Sequence, residues 1–191
     1  DRRELGAAAR RSVGRMKPAV PIEVDVQTGV WSVDAIPMIL VPRHFFLNNH
    51  AEVEAALGAE RYAEILFRAG HQSAYTWCEL EAATHGLAGV TVFHHYMKRL
   101  SQRGWGRFTV QAVDAAEGTA RIRVDHSAFV EGMPPGADSG RKLCYMFRGW
   151  FPGALEYVGS ALGTRRALAA RELQCAGDGS CDHCVFEVRP A

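Results

Sequence analysis

The segment "ELQCAGDGSCDHCVFEV", residues 172–188, places Glu172, Cys175, Cys181, His183 and Cys184 within thirteen positions around a Gly-Asp-Gly turn. Two apolar arms joined by such a turn specify a β-hairpin. The arms bring Cys175 and Cys184, nine positions apart, within reach of one coordination sphere. Tetrahedral zinc takes four ligands from thiolate, imidazole or carboxylate, gathered from short loops and element ends. Glu172 precedes Cys175 by three, and strict strand alternation puts the two on opposite faces. Both can ligate only if a bulge or the strand end intervenes. Cys144 opens an apolar helical stretch, and helix N-termini favour thiolate. From the residues alone two other readings stay open. Cys181-x-x-Cys184 has the spacing of a redox pair, without the strand-to-helix context that motif needs. Cysteines also pack simply as small apolar side chains. The pair-plus-pair spacing of a standard zinc finger is absent.

The chain has 191 residues, 48% apolar and 23% charged, with a net charge of +1. That length supports one domain with a sizeable core. The near-neutral balance offers no field to recruit nucleic acid or an anionic membrane. Apolar runs such as "IPMILV" at 36–41 fall far short of a bilayer span. No stretch near the N-terminus has the charged, apolar and small-residue order of a signal peptide. Five cysteines, an odd number, do not suit a secreted disulfide framework, so a reducing, cytoplasmic setting is expected.

Residues 1–20 carry six basic side chains and few large apolar ones, and are expected to form a basic extension outside the core. The domain proper is expected over 21–191. "PIEVDV", with Ile22, Val24 and Val26 alternating, reads as a strand, and "GVWSVD" and "IPMILVPRHFF" extend a β-rich opening. Asn49 is placed to cap a helix through "HAEVEAALG", ended by Gly58. A second helix over "ERYAEILFRAGHQSAYTWCELEAATHG" carries Tyr62, Ile65, Leu66, Ala69, Tyr75, Cys78 and Leu80 at helical spacing, with a break expected near Gly70. "GVTVFHHYMKRLSQRG" is a third, with Val90, Phe93, Tyr96, Met97 and Leu100 on one face. The period then changes to two. "GRFTVQAVD" and "TARIRVDHSAFV" read as an antiparallel pair, and "EGMPPGADSGRK" as a loop. "LCYMFRGWFPGALEYVGSALG" is apolar and helical, with a bend or division expected at Gly149 and Pro152-Gly153. The C-terminal hairpin closes the chain. The expected fold class is α+β: one domain, an antiparallel sheet packed by helices, and a C-terminal hairpin that carries the cysteine cluster, a zinc-binding hairpin if the metal reading holds.

"LCYMFRGWFPGALEYV" followed by "ARELQCAGDGSCDHCVFEV" resembles the C-terminal half of the 4-vinyl reductase domain. This small-molecule-binding module occurs in bacteriochlorophyll-pathway accessory proteins and in the sensor domains of phenol- and xylene-responsive transcription activators. The shared pattern is a cysteine before an apolar helix with Gly-aromatic, then Glu-x-x-Cys, a Gly-Asp turn and Cys-x-Phe. In the zinc-containing sensor domains these positions hold a structural zinc, which the resemblance carries to Cys144, Glu172, Cys175 and Cys184. The turn is slightly longer here and Cys181 is surplus, so Cys181 competes with Cys184 for the fourth place. The order "CVF" favours Cys184, and His183 reads as a solvated turn residue. Through "VPRHFFLNNH", "LSQRGWGRF" and "MFRGWFPGA" the whole chain also resembles an uncharacterised bacterial family carrying this domain. Its genes are associated with demethylation of betaine-like N-methyl compounds.

A site of three thiolates and a carboxylate leaves no open position, so the zinc it implies is structural. In the sensors that the domain resembles, an apolar pocket above the zinc holds an aromatic ligand. Trp77, Phe93, His94, Trp105, Phe108, Tyr145 and Trp150, with Phe147 and Phe151, are the candidates to line one here. Aromatics equally dominate ordinary cores. No catalytic constellation stands out: "GHQS" and "THG" lack a nucleophile elbow, and "GLAG" and "GWG" lack phosphate-loop spacing. His94 and His95 point in two directions on their helix, and Glu79 and Glu81 read as solvent-facing charges. The expected function is a zinc-stabilised small-molecule-binding sensor or accessory domain without catalysis of its own, binding a hydrophobic or aromatic molecule and dimeric. At 191 residues no ATPase or DNA-binding module is expected beside this domain, and output is expected to pass to a partner. The alternative is a non-catalytic accessory subunit of a multi-subunit oxidoreductase or demethylase acting on N-methylated amines. An enzyme in its own right is the weakest of the three readings, since no nicotinamide or flavin motif is visible.

Overall fold

Two glycines of one helix set the architecture. In the computed structural model, which describes residues 20–132, 140 and 142–191, helix α4 spans Phe147–Ala161 without interruption. It crosses helix α2, Ala59–His85, at Gly149 and Gly153. A Cβ at either position would overlap the backbone carbonyl of Phe67 or His71. The expected division of α4 at Pro152-Gly153 therefore does not occur. The glycines mark close helix approach, and Pro152 lies inside the helix, buried at the contact. Gly70, expected to break α2, is instead where the Trp150 indole lies against the helix, in the space a Cβ would need. Absence of a side chain serves packing at all three positions.

Helix α4 also packs on a four-stranded antiparallel sheet. Its strands β4 (Arg107–Asp114), β5 (Thr119–Asp125), β6 (Leu168–Gln174) and β7 (His183–Pro190) run in the order β4-β5-β7-β6. Period-two alternation puts Ala120, Ile122 and Val124 of β5 inside, with Cys184, Phe186 and Val188 of β7. On β6 the inward positions are Leu168, Ala170 and Glu172. A carboxylate thus stands on the core face of a strand. Phe93, Phe147, Phe151, Phe186, Ile122 and Leu155 fill the core between helices and sheet.

The opening differs from its pattern. Strands β1 (Ile22–Val24), β2 (Trp31–Val33) and β3 (Ile36–Met38) form a separate three-stranded sheet. Most of its apolar side chains, Ile22 and Val24 among them, are exposed. Helix α1 spans Arg43–Leu57 behind Pro42, seven residues before the start expected from Asn49, so "RHFF" is helical rather than extended. Pro42 supplies the fixed backbone turn at which the helix starts. On α2 the buried face is Tyr62, Gly70, Ala74, Trp77, Cys78, Glu81 and Ala82, while Ile65 and Leu80 are exposed. Helix α3 covers Val90–Gln102 with Phe93, Tyr96, Met97 and Leu100 buried as expected. The expected basic extension lies outside the described residues except Val20, as do positions 133–139 and 141 of the expected loop.

Alanine at Gly149 or Gly153 separates the two roles a helical glycine can have. A flexible joint would gain about 0.5–1 kcal/mol from alanine. Contact glycines lose roughly 1–3 kcal/mol through overpacking, and urea unfolding of G149A and G153A is expected to show that loss.

Candidate metal centre

The carboxylate on β6 and three sulfurs meet where α4 begins. Pairing of β6 with β7 shifts register between Glu172 and Gln174, which supplies the bulge that alternation demands. Cys175, just beyond the strand end, therefore returns to the face that Glu172 occupies. A 3₁₀ turn at Ala176–Asp178 and Gly179 in the left-handed region (φ 77°) reverse the chain and carry it to Cys184 on β7. Cys144 precedes α4, its carbonyl accepting from the Phe147 amide at 3.0 Å.

The Cys144 and Cys184 sulfurs are 3.6 Å apart, and those of Cys184 and Cys175 3.9 Å. One donor atom from each of Cys144, Glu172, Cys175 and Cys184 lies within 4.8 Å of the others, and all four residues are buried. Tetrahedral zinc–thiolate bonds of about 2.3 Å require sulfurs roughly 3.8 Å apart. A disulfide requires about 2.05 Å, and all five cysteines are free. The donor chemistry fits the same ion. Both carboxylate oxygens of Glu172 are buried without a hydrogen-bond partner among the described residues, a costly arrangement for an acid unless a cation answers it.

Each sulfur also has a polar neighbour outside the set. The Leu143 amide donates to Cys175 Sγ and the Ala176 amide to Cys184 Sγ, both at 3.3 Å. Ser127 Oγ lies 3.0 Å from Cys144 Sγ. Such contacts orient and stabilise thiolate ligands. Hydrogen bonds from the Cys144 and Cys184 thiols hold Cys175 far below the ordinary thiol range. Burial, reinforced by the negative Cys175, pushes Glu172 up to about 9, and the thiol of Cys144 is driven up by its contacts with Cys175 and Cys184. Anions crowded in this pocket disfavour one another, and a divalent ion would relieve that repulsion.

Cys181 lies outside the set. It is half-buried, with Sγ 3.4 Å from the Cys175 carbonyl and 3.3 Å from that of His183. His183 is occupied by Asp182 at 2.6 Å and Gln174 at 3.1 Å.

The pocket candidates distribute over several surroundings. Trp105 lines an apolar cleft of about 520 Å³ with Met38, Ile39, Leu40, Phe46 and Met146, rimmed by Arg43 and Arg103. Its ring meets Trp150 edge-on at 4.9 Å. Trp150, Phe93 and Phe108 are buried in the core. Tyr145 hydrogen-bonds Glu54 and borders a second, polar cleft of about 440 Å³ with Lys142, Arg148, Arg171 and Glu172. Trp77 faces elsewhere, stacked on His95 at 5.7 Å, and His94 is exposed.

Glu81 is not a solvent-facing charge. It is fully buried and touched by His95, His85 and Arg99. The sequence signal for this group is Glu81-x-x-x-His85, one helical turn on a single face.

A family model described as a domain of unknown function (DUF5943) matches residues 16–111. No curated protein matches the chain. Among solved structures, the phenol-responsive sensory domain of the transcription activator PoxR, determined with phenol, is similar at TM-score 0.71 and 20% identity, over 88% of this chain and 84% of that one. A trafficking protein particle complex subunit 3 from Naegleria fowleri, covalently bound to palmitic acid, is similar at TM-score 0.52 and 13% identity, over 78% of this chain and 95% of that one. A vinyl-4-reductase family protein from Methanocaldococcus jannaschii aligns at TM-score 0.49 and 13% identity, over 81% and 84%. The α+β fold is thus that of the phenol-responsive sensory domain.

Elemental analysis of the purified protein is expected to give about one metal ion per chain. C175A should lose it and melt about 10 °C lower, on the usual 2–4 °C per kcal/mol for a domain of this size. C181A should keep both metal and melting temperature; loss of the ion in C181A would exchange it for Cys184 in the ligand set.

Proposed function

This chain belongs to the family described as a domain of unknown function (DUF5943), and we propose that it is a zinc-stabilised small-molecule-binding domain, sensory or accessory in role and without catalysis of its own. The observation that carries the reading is the apolar cleft beside Trp105. Its volume of about 520 Å³ is that of an ordinary ligand site, and an apolar lining with a few polar groups is what such sites have. A hydrophobic or aromatic molecule fits that lining, with any polar end directed to Arg43 or Arg103. The fold shared with a phenol-responsive sensory domain supports the same reading.

Zinc is the ion we assign to Cys144, Glu172, Cys175 and Cys184, because three soft sulfurs and one carboxylate at tetrahedral spacing suit it. With all four positions taken by protein the ion holds structure, tying the hairpin to the start of α4. Ligand occupancy reaches the same helix from its other face: Trp105 meets Trp150, and Trp150 lies against α2 at Gly70. Free cysteines support a reducing, cytoplasmic setting, and no helix among the described residues is long and apolar enough to cross a membrane.

The adjacent Ile39 and Leu40 are 83% and 80% exposed, and adjoining exposed apolar side chains mark association surfaces. They favour a homodimer. They equally favour the second reading, a non-catalytic accessory subunit of an oxidoreductase or demethylase for N-methylated amines.

Titration with phenol and larger aromatics is expected to shift tryptophan fluorescence in the native protein but not in W105F, with matching heats in calorimetry. Absence of both signals across such a panel would overturn the binding reading. Sedimentation of the full chain, alone and from its native source, then distinguishes a dimer from a subunit of a larger complex.

A further inference from the structure

We propose a second metal site, for a divalent first-row cation, formed by Glu81 and His85 of α2 and His95 of α3. The reading does not depend on the small-molecule function. Glu81 and His85 lie one turn apart on α2, and His95 comes from α3. The His95 Nε2 is 2.7 Å from Glu81 Oε2 and the His85 Nε2 is 3.4 Å from the same oxygen. One donor atom from each residue lies within 4.8 Å of the others, so both imidazoles direct the same ring nitrogen toward one point.

The carboxylate needs a cation that its protein neighbours do not fully supply. Glu81 has no exposed surface, and its Oε1 is buried without a hydrogen-bond partner among the described residues. Arg99, the adjacent guanidinium, is committed to Asp34 through its NH2, and its Nε stands 3.5 Å from Glu81 Oε2 without a hydrogen bond. Arg103 lies over the Trp77 ring, 4.8 Å from its centroid, and its Nε and NH2 donate to nothing described. Arg99 and Arg103 balance the charges of Asp34 and Glu81, but neither guanidinium reaches Glu81 Oε1. Leaving one carboxylate oxygen buried and unpaired is expensive, and a bound divalent ion would remove that expense.

Two imidazoles and one carboxylate select zinc or its first-row neighbours over magnesium or calcium. Asp34 Oδ2 lies 3.5 Å from the same His85 Nε2, a second carboxylate beside the nitrogen that faces the ion. Asp34 is held at positive φ (51°), with Ala35 after it at 62°. These are the two central residues of the β2–β3 hairpin, between the paired Val33 and Ile36, and a two-residue turn requires that conformation at both; the turn is what presents Asp34 to His85. His85 is 31% exposed and His95 18%, which gives the ion a path in. Three protein ligands leave a coordination position open, in contrast to the closed cysteine centre.

Cobalt(II) titration of the full chain, with the cysteine centre already filled by zinc, separates the two sites spectroscopically. The second site is expected to bind one equivalent with visible d–d bands and no sulfur-to-cobalt charge-transfer band, and to quench Trp77, which stacks on His95. H85A, at a partly exposed position, and E81Q should each weaken that binding by at least tenfold while the zinc content is unchanged. Absence of a second equivalent would overturn the site, as would binding unaltered in H85A. Should E81Q fail to fold, H85A alone decides, with circular dichroism confirming its fold.

Discussion

The backbone-to-backbone approach of α4 and α2 is the contact on which the rest of the molecule depends. Gly149 and Gly153 let α4 settle against Phe67 and His71 with no side chain between them. With α4 that close to α2, its opposite face reaches β6 and β7, and Phe147, Phe151 and Leu155 fill the space between. The segment before the helix is then delivered to the end of the hairpin, which brings Cys144 over Cys184. A bulkier residue at the crossing would displace the helix by more than the tolerance of a metal centre, whose sulfurs must lie within a few tenths of an ångström of tetrahedral spacing.

The centre feeds the constraint back. Cys144 belongs to the start of α4, Glu172 and Cys175 to the end of β6, and Cys184 to β7. One ion joined to all four would fix the angle between helix and hairpin, which hydrophobic contact alone leaves free to slide. Backbone amides of Leu143 and Ala176 point at two of the sulfurs, so the chain next to each ligand is already shaped for thiolate. The Ser127 hydroxyl adds the strand-end segment after β5 to the same point. Packing brings the four donor residues together, and an ion held by them would supply the directionality that packing lacks.

Much of this was legible in the residues, and the failures have a common cause. Period two identified β4, β5 and the hairpin because a sheet covered on one face must alternate. The requirement for a bulge after Glu172 followed from strand geometry, and the register shift is there. Glycine was misread wherever its role is tertiary: Gly70, Gly149 and Gly153 look like breakers locally, and only a neighbouring helix reveals them as contact points. The β-rich opening was half right, since "IPM" is a strand but "RHFF" is helical; β-propensity there competes with the stop at Pro42. Glu81 was missed because a charge beside another charge on a helix is normally solvated. Its burial depends on His95 and Arg99, fourteen and eighteen positions away.

The two candidate centres are opposites in a way that bears on what this fold can do. The cysteine set uses soft ligands, closes every position and sits where helix and hairpin join, so its chemistry ends in stability. The Glu81 group uses hard and borderline ligands, keeps an open side through His85, and is attached to the β2–β3 turn through Asp34. That turn leads into Met38, Ile39 and Leu40, the wall of the apolar cleft. An ion at Glu81 would therefore act on the Asp34 contact and on the strand that borders the cleft, whereas an ion at the cysteine centre would hold α4 still behind it. A clamp on one side and an ion-responsive wall on the other would give a cleft set on one face and adjustable on the other.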